Sequence, residues 1–229
     1  MNDVSAVTRQ NMARLFFTNN TSNPTLPDSF LNAFDNGTNA PTYGGINRLA
    51  AGNSAFQGQY LNMASGIYGS GTGNFSVSTF GFTRKSMATL LAQMTDAAGG
   101  ESPTFGVMSP GDYATLNNDF IGIEQINQGV GASSYSMDSS IRSSFPNINI
   151  SGVPIFGDHF CPKGSAFFVN CKYTAMYLSE DAAFDFSGFY SLVPLGQIGQ
   201  QGVVVVGYDV LTAKSVSGAW IYNIGGAAF

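Results

Sequence analysis

Apolar positions recur at helical spacing at the start of the chain. Val4, Val7, Met12, Leu15 and Phe16 are separated by polar residues, a spacing that predicts a helix over residues 3–17. No capping residue precedes it, which reads as a helix entered partway along its length. Residues 18–47 are rich in Asn, Thr, Pro and Gly, the composition of turns and loops, with one helical turn expected at Leu31–Phe34. Residues 51–75 are rich in Gly, Ser and Asn and end in Gly69-Ser-Gly-Thr-Gly73, so a long irregular loop is expected there.

The clearest helical stripe is Met87, Leu90, Leu91, Met94 and Ala98, which predicts a helix from about Ser86 to Ala98, stopped by Gly99-Gly100. A short buried strand follows at Thr104–Met108. Ser109-Pro-Gly-Asp112 then has the marks of a helix start: Ser at the cap, Pro at the first position and a carboxylate at the third. That helix carries Tyr113 and Leu116. After a second polar loop at about 121–147, short β-type runs follow at Val153–Phe156, Ala166–Asn170, Tyr173–Leu178, Val203–Val206 and Ser215–Tyr222. Helices first and strands later, with no internal repeat, predict an α+β fold.

Composition changes this picture in one respect. The 229 residues are 44% hydrophobic but only 10% charged, against about 25% charged in a typical soluble domain. A monomer needs charge to stay wet and self-repelling, so a chain that substitutes Gly, Ser, Thr, Asn and Gln is suited to hiding surface against other chains. The net charge is −5 and the nine Lys and Arg are scattered, Arg84-Lys85 being the only adjacent pair. Tight, sequence-specific nucleic-acid binding needs clustered cations; an acidic wall that contains nucleic acid without gripping it is still permitted. No stretch approaches the roughly 20 apolar residues of a membrane span, and Met1-Asn2-Asp3 does not open a signal peptide. The reading is a soluble intracellular chain, and the sequons at Asn36, Asn74 and Asn149 are fortuitous in it.

Candidate chemistry is sparse. Asp158-His159-Phe160-Cys161 holds three reactive residue types on one turn, but a Cys–His pair needs side chains converging from different elements. Cys161 and Cys171 each read as a small buried hydrophobe, and two thiols with one histidine do not complete a zinc site. Gly69–Gly73 has the glycines of a phosphate loop without the Lys-Ser/Thr that such a loop needs. Glu180-Asp181 and Asp185 read as a solvated turn at a strand end in preference to a glycosidase pair or calcium site. Phe184, Phe186, Phe189 and Tyr190 read as core or subunit contact, because no Lys or Arg lies between Lys172 and Lys214 to make them a nucleic-acid platform. No catalytic, cofactor-binding or metal-binding residue is assigned, and no enzymatic activity is expected.

The order of the pieces resembles one family. Tyr43-Gly-Gly-Ile-Asn-Arg48, the amphipathic helix Met87–Gly100, the strand and Ser-Pro-started helix of Thr104–Tyr113, and above all Gly152-Val-Pro-Ile-Phe-Gly-Asp158-His-Phe-Cys161-Pro-Lys-Gly164 are similar to the second half of tailed-bacteriophage major capsid proteins with the HK97-like fold. Ala166–Asn170, Lys172–Tyr177, Val203–Val206 and Ser217–Trp220 continue the series. Locally, Gly152 and Pro154 shape a turn into a strand, and Asp158 reads as a side chain capping backbone amides in a second turn. The resemblance implies a peripheral domain (1–45 and 174–212, the end of a spine helix plus long strands) and an axial domain (46–173 and 213–229). Family members carry an N-terminal arm and extended loop ahead of the spine helix, so the resemblance implies that this sequence is the C-terminal portion, starting partway along that helix and lacking both.

The implied function is a structural subunit that self-assembles into pentamers and hexamers of an icosahedral head enclosing double-stranded DNA. The expected partners are further copies of the chain, scaffolding and portal proteins and a decoration protein, with no cofactor and no membrane. The virion would be assembled in the host bacterial cytoplasm. Loops at 49–82 and 120–147 are the candidates for contacts around the capsomer axis and between subunits. An encapsulin-like compartment shell is the alternative within the fold, though Cys161-Pro-x-Gly favours the phage form. A β-rich carbohydrate-binding or adhesin module is the alternative from another class, suggested by the polar and aromatic content.

Overall fold

The computed structural model describes residues 2–18, 26–63, 72–73, 83–127, 148–180, 185–191 and 200–224. Its helices are α1 (Asn2–Leu15), α2 (Phe30–Ala33), α3 (Arg84–Ala97) and α4 (Pro110–Asn127). The strands are β1 (Thr42–Tyr43), β2 (Ile46–Asn47), β3 (Gln59–Asn62), β4 (Thr72–Gly73), β5 (Phe105–Met108), β6 (Ile148–Ile150) and β7 (Val153–Gly157). They continue with β8 (Ala166–Val169), β9 (Thr174–Leu178), β10 (Asp185–Ser191), β11 (Gln200–Val205), β12 (Tyr208–Thr212) and β13 (Ala219–Tyr222). The architecture is α+β, as the sequence predicts.

A seven-stranded mixed sheet in the order β4-β3-β13-β8-β5-β7-β6 forms the centre. It is parallel at β13/β3 and β5/β7 and antiparallel elsewhere. Alternation along each strand sorts side chains onto the two faces. Ala166, Phe168, Met108, Ala219 and Ile221 join α3 and α4 in one core with Met87, Leu90, Leu91, Met94 and Leu116. Phe167, Val169 and Val107 join Phe17, Ala33, Phe34 and Tyr43 on the other face. Strand β8 is buried throughout, which is why its sequence is an unbroken apolar run.

The helix signals act locally. Thr83 and Ser86 form a reciprocal capping box at the start of α3. Gly99 (φ 73°) and Gly100 (φ 90°) end the helix in the left-handed region, their N–H groups donating to Asp96 and Thr95 carbonyls. Burying Met87, Leu90, Leu91 and Met94 contributes a gross ~6–12 kcal/mol of transfer free energy, an upper figure. Helix α4 starts as expected, Ser109 Oγ bonding Asp112 and accepting from its backbone N–H.

Three expectations are corrected. The loop at 51–75 contains strand β3, stabilised by parallel pairing with β13 far along the chain. The polar loop expected at 121–147 is helical at its start, because α4 runs to Asn127, and 128–147 lie outside the described residues. Strand β12, which carries no predicted run, pairs along its whole length with β9, from Thr174↔Thr212 to Leu178↔Tyr208.

Strands β9 to β12 form a ribbon that is separate from the central sheet. The chain goes out along β9 and β10 and returns along β11 and β12, giving two two-stranded antiparallel pairs. A register shift between Phe186 and Phe189 coincides with Gly188 at φ 80°. The inner side of β12 is anchored. Val210 and Thr212 are buried, Tyr43 Oη donates to the Val210 carbonyl (3.2 Å) and accepts from the Thr212 N–H (3.0 Å). Tyr208 Oη donates to the Met12 carbonyl of α1 at 3.3 Å, and burial pushes this phenol up to about 12.

Candidate functional site

The Tyr43–Arg48 motif builds a buried joint. Gly44 (φ 55°) and Gly45 (φ 77°) make the two-residue turn between β1 and β2 that brings Arg48 back under the Tyr43 ring, 4.6 Å from its centroid. Arg48 is fully buried. Its Nη2 donates to the Ala33 carbonyl (3.0 Å) and its Nη1 to the Asp35 (2.9 Å) and Ala40 (3.5 Å) carbonyls. Asp35 is also buried, and its Oδ2 accepts N–H bonds from Gly37 (2.8 Å), Asn39 (3.0 Å) and Ala40 (2.8 Å). Burial lowers the Arg48 pKa while the nearby Asp35 charge opposes that shift. The joint therefore buries a guanidinium and a carboxylate, each bonded chiefly to backbone groups, and its role is architectural.

The Gly152–Gly164 segment is architectural in the same way. Ser151 (φ 53°) and Gly152 (φ 87°) form the tight hairpin turn between β6 and β7. Asp158 Oδ1 accepts from the Phe160 N–H at 2.8 Å, the amide cap expected of it. Gly164 (φ 71°) donates its N–H to Asp112 Oδ2 (2.9 Å) and its carbonyl accepts from the Ile224 N–H (2.9 Å), tying the turn to α4 and the chain beyond β13. Desolvation raises the Asp112 pKa, and the bonds from Ser109 and Gly164 work against it.

His159 is exposed while Cys161 is buried, its Sγ donating to the Ser165 carbonyl (3.5 Å). Burial pushes the Cys161 thiol well above the ordinary range, with Asp158 and Asp112 adding to the shift. The turn thus leaves His159 in solvent and Cys161 in the core, its sulfur a buried hydrophobe. The expectation for Cys171 is corrected: it is exposed, because it sits in the turn after β8. Native protein treated with iodoacetamide near pH 8 should therefore take up one label, at Cys171, and a second only on denaturation, as read by intact-mass and peptide analysis.

The other candidates are dispersed. Thr72-Gly73 forms β4 and Gly69–Gly71 lie outside the described residues, as do Asp181, Phe184 and Asn74. Glu180 and Asp185 are exposed. Asn36 accepts from Thr38 in a local turn, and Asn149 lies on β6, accepting from the Gly152 N–H. Among the described residues no three His, Cys, Asp or Glu side chains gather into a metal site, and no helix is long and apolar enough to cross a membrane.

The surface that stands out is the ribbon. Met176, Tyr177, Leu178, Phe186, Phe189, Tyr190, Val203, Val205 and Leu211 are all exposed large hydrophobics, with Phe189 at 60% and Tyr190 at 58%. Isolated two-stranded sheets are marginal in water, and apolar surface of this extent marks an interaction face. Residues 173–213 contain Glu180, Asp181, Asp185 and Asp209 but no Lys or Arg. Phe186, Phe189 and Tyr190 are thus exposed and not core in the single chain.

No protein-family model and no curated protein matches the sequence. Solved structures do match. A subunit from the cyanophage A-1(L) capsid asymmetric unit superposes with a TM-score of 0.63 at 15% identity, over 97% of this chain and 68% of that one. The satellite phage P4 procapsid that includes the size determination (Sid) protein gives 0.47 at 12% identity, covering 96% of this chain and 62% of its own. The holo-SrpI encapsulin complex from Synechococcus elongatus PCC 7942 gives 0.45 at 16% identity, covering 83% and 59%. The first of these, over nearly all of this chain, defines the class of fold, the one seen in that capsid protein. Its fold is the HK97-like capsid fold.

Proposed function

We propose that this chain is the major capsid subunit of a tailed bacteriophage, forming pentamers and hexamers of an icosahedral head around double-stranded DNA. The observation that carries this reading is the fold shared with the cyanophage capsid subunit, together with an exposed apolar ribbon that a solitary soluble protein has no reason to display. A charged fraction of 10% and a net charge of −5 suit a wall whose free energy lies in contacts between copies and which encloses DNA without binding its phosphates. Scaffolding, portal and decoration proteins are the partners this role requires, with assembly in the bacterial cytoplasm and the virion as destination. No residue is assigned to catalysis.

Residues 1–45 and 174–212 are read as the peripheral domain and 46–173 with 213–229 as the axial domain. In support, β9 begins at Thr174 and β12 ends at Thr212, so the second pair of boundaries coincides with the root of the ribbon.

The test is assembly of the full-length gene product, alone and with its scaffold, followed by electron microscopy and light scattering. Rings or closed shells are the expected result; a monomer at every concentration with scaffold present would overturn the proposal. Replacing exposed Phe189 and Tyr190 together by Asp should raise the threshold concentration for assembly at least ~100-fold, since each buried aromatic is worth roughly 1.5–3 kcal/mol. The circular dichroism of the subunit should be unchanged.

A further inference from the structure

Three chain segments meet where the ribbon leaves the central sheet: the end of α3 at 98–101, the turn before β9 at 170–173, and the link after β12 at 213–214. Glu101 and Tyr173 organise this crossing. Glu101 Oε1 accepts from Lys172 Nζ at 2.6 Å and from Tyr173 Oη at 2.8 Å. The Tyr173 ring is flanked by two ammonium groups, Lys172 Nζ at 5.1 Å and Lys214 Nζ at 5.3 Å from its centroid. Both distances fall within the range of cation–π attraction. Lys214 Nζ in turn donates to the Ala98 carbonyl at 2.7 Å, placing a cation at the negative end of the α3 dipole. The backbone of the same tyrosine closes the ribbon, its carbonyl accepting from the Ala213 N–H at 2.8 Å.

We propose that Glu101, Lys172, Tyr173 and Lys214 form an ionic and aromatic clamp that fastens the root of the ribbon to the end of α3. The clamp's strength is set by charge screening. A solvent-facing ion pair alone is worth little. Here one carboxylate, one ring and two ammonium groups act together, which fastens the root more firmly than the Lys172–Glu101 pair alone would. Salt releases the clamp because its charges face water: the Lys172 side chain is 61% exposed and that of Glu101 30%. The Glu101 carboxyl is held below its ordinary range by Lys172 and Tyr173, and the Lys172 ammonium is held above its own by Glu101, the directions expected of a formed pair.

Hydrogen exchange on the isolated subunit tests this independently of whether the chain builds a shell. The reporters are the Thr174 amide, bonded to the Asn170 carbonyl, and the Ala213 amide, bonded to that of Tyr173. Glu101→Gln and Lys214→Met should each accelerate exchange at both amides by about threefold to tenfold, and Tyr173→Phe, which keeps the ring, by less. In the parent protein, raising salt to about 1 M should reproduce the effect. The amides of Phe167 and Phe168 in β8 should stay within about twofold throughout. Unchanged exchange at Thr174 and Ala213 in both variants would overturn the clamp, as would equal acceleration at β8, which would reveal a general loss of stability.

Discussion

Replacing Arg48 by Met should destabilise the fold by about 3–5 kcal/mol, a fall in Tm of roughly 6–20 °C for a chain of this size. The two side chains fill similar volumes, so the cost is electrostatic. Without the guanidinium, the carbonyls of Ala33 and Ala40 lose their Arg48 donor and that of Asp35 keeps only the Gly58 N–H, in a site closed to water. The buried Asp35 carboxylate also loses the neighbouring cation that accompanies it. Arg48→Lys should recover only part of the loss, because one ammonium cannot span carbonyls that a planar fork reaches. Thermal unfolding by circular dichroism decides the matter. An Arg48→Met variant as stable as the parent would show that the joint is held by packing alone.

Gly58→Ala should cost at least about 3 kcal/mol, the upper end of overpacking penalties. A Cβ at Gly58 would lie 2.2 Å from the Phe34 carbonyl carbon and oxygen, and these are backbone atoms that cannot rotate aside. The bond from the Gly58 N–H to the Asp35 carbonyl (2.9 Å) pins the two segments at that separation. Relief requires moving β3 against β13 or shifting the Asp35 joint, and each is itself buried. Gly111, in the first turn of α4 with open space around its Cβ position, is the control. Gly111→Ala should be neutral or stabilising by up to about 1 kcal/mol. Equal stabilities for the two variants, measured by urea unfolding, would sink the close-approach argument.

Both substitutions act on one place, and only half of it could be read in advance. Tyr43-Gly-Gly-Ile-Asn-Arg48 is visible as a motif, and paired glycines between short extended pieces announce a turn. That Arg48 would be among the largest fully buried side chains is not visible, because an arginine in a polar stretch is ordinarily solvated. Its burial follows from the end of α2, the 35–40 turn and the Tyr43 ring closing around it. The backbone nest of Asp35 had a faint local signal in Asp35-Asn-Gly37, a pattern typical of Asx turns.

The ribbon divides in the same way. A run such as Val203–Val206 predicts extended structure, yet nothing in it tells whether the strand will be covered by its own chain or left open for another. The clamp at its root was illegible, since Glu101, Lys172, Tyr173 and Lys214 come from three segments and none carries a local pattern.

What the amino-acid sequence determined by itself was whatever depends on neighbours within a few residues. The stripe and glycine stop of α3, the Ser-Pro start of α4, the turn at Gly152 and the Asp158 amide cap all belong here. Capping, turn conformation and helical period act across one or two turns of chain, so their signals survive in a short window. Tertiary structure alone decided that Gln59–Asn62 is a strand, that β12 exists, that Cys161 is buried while Cys171 is not, and that the apolar ribbon faces outward. Each of those outcomes rests on partners many residues away. A four-residue segment with polar ends becomes a strand only when a distant neighbour supplies its hydrogen bonds, and a side chain is buried only when distant elements close over it.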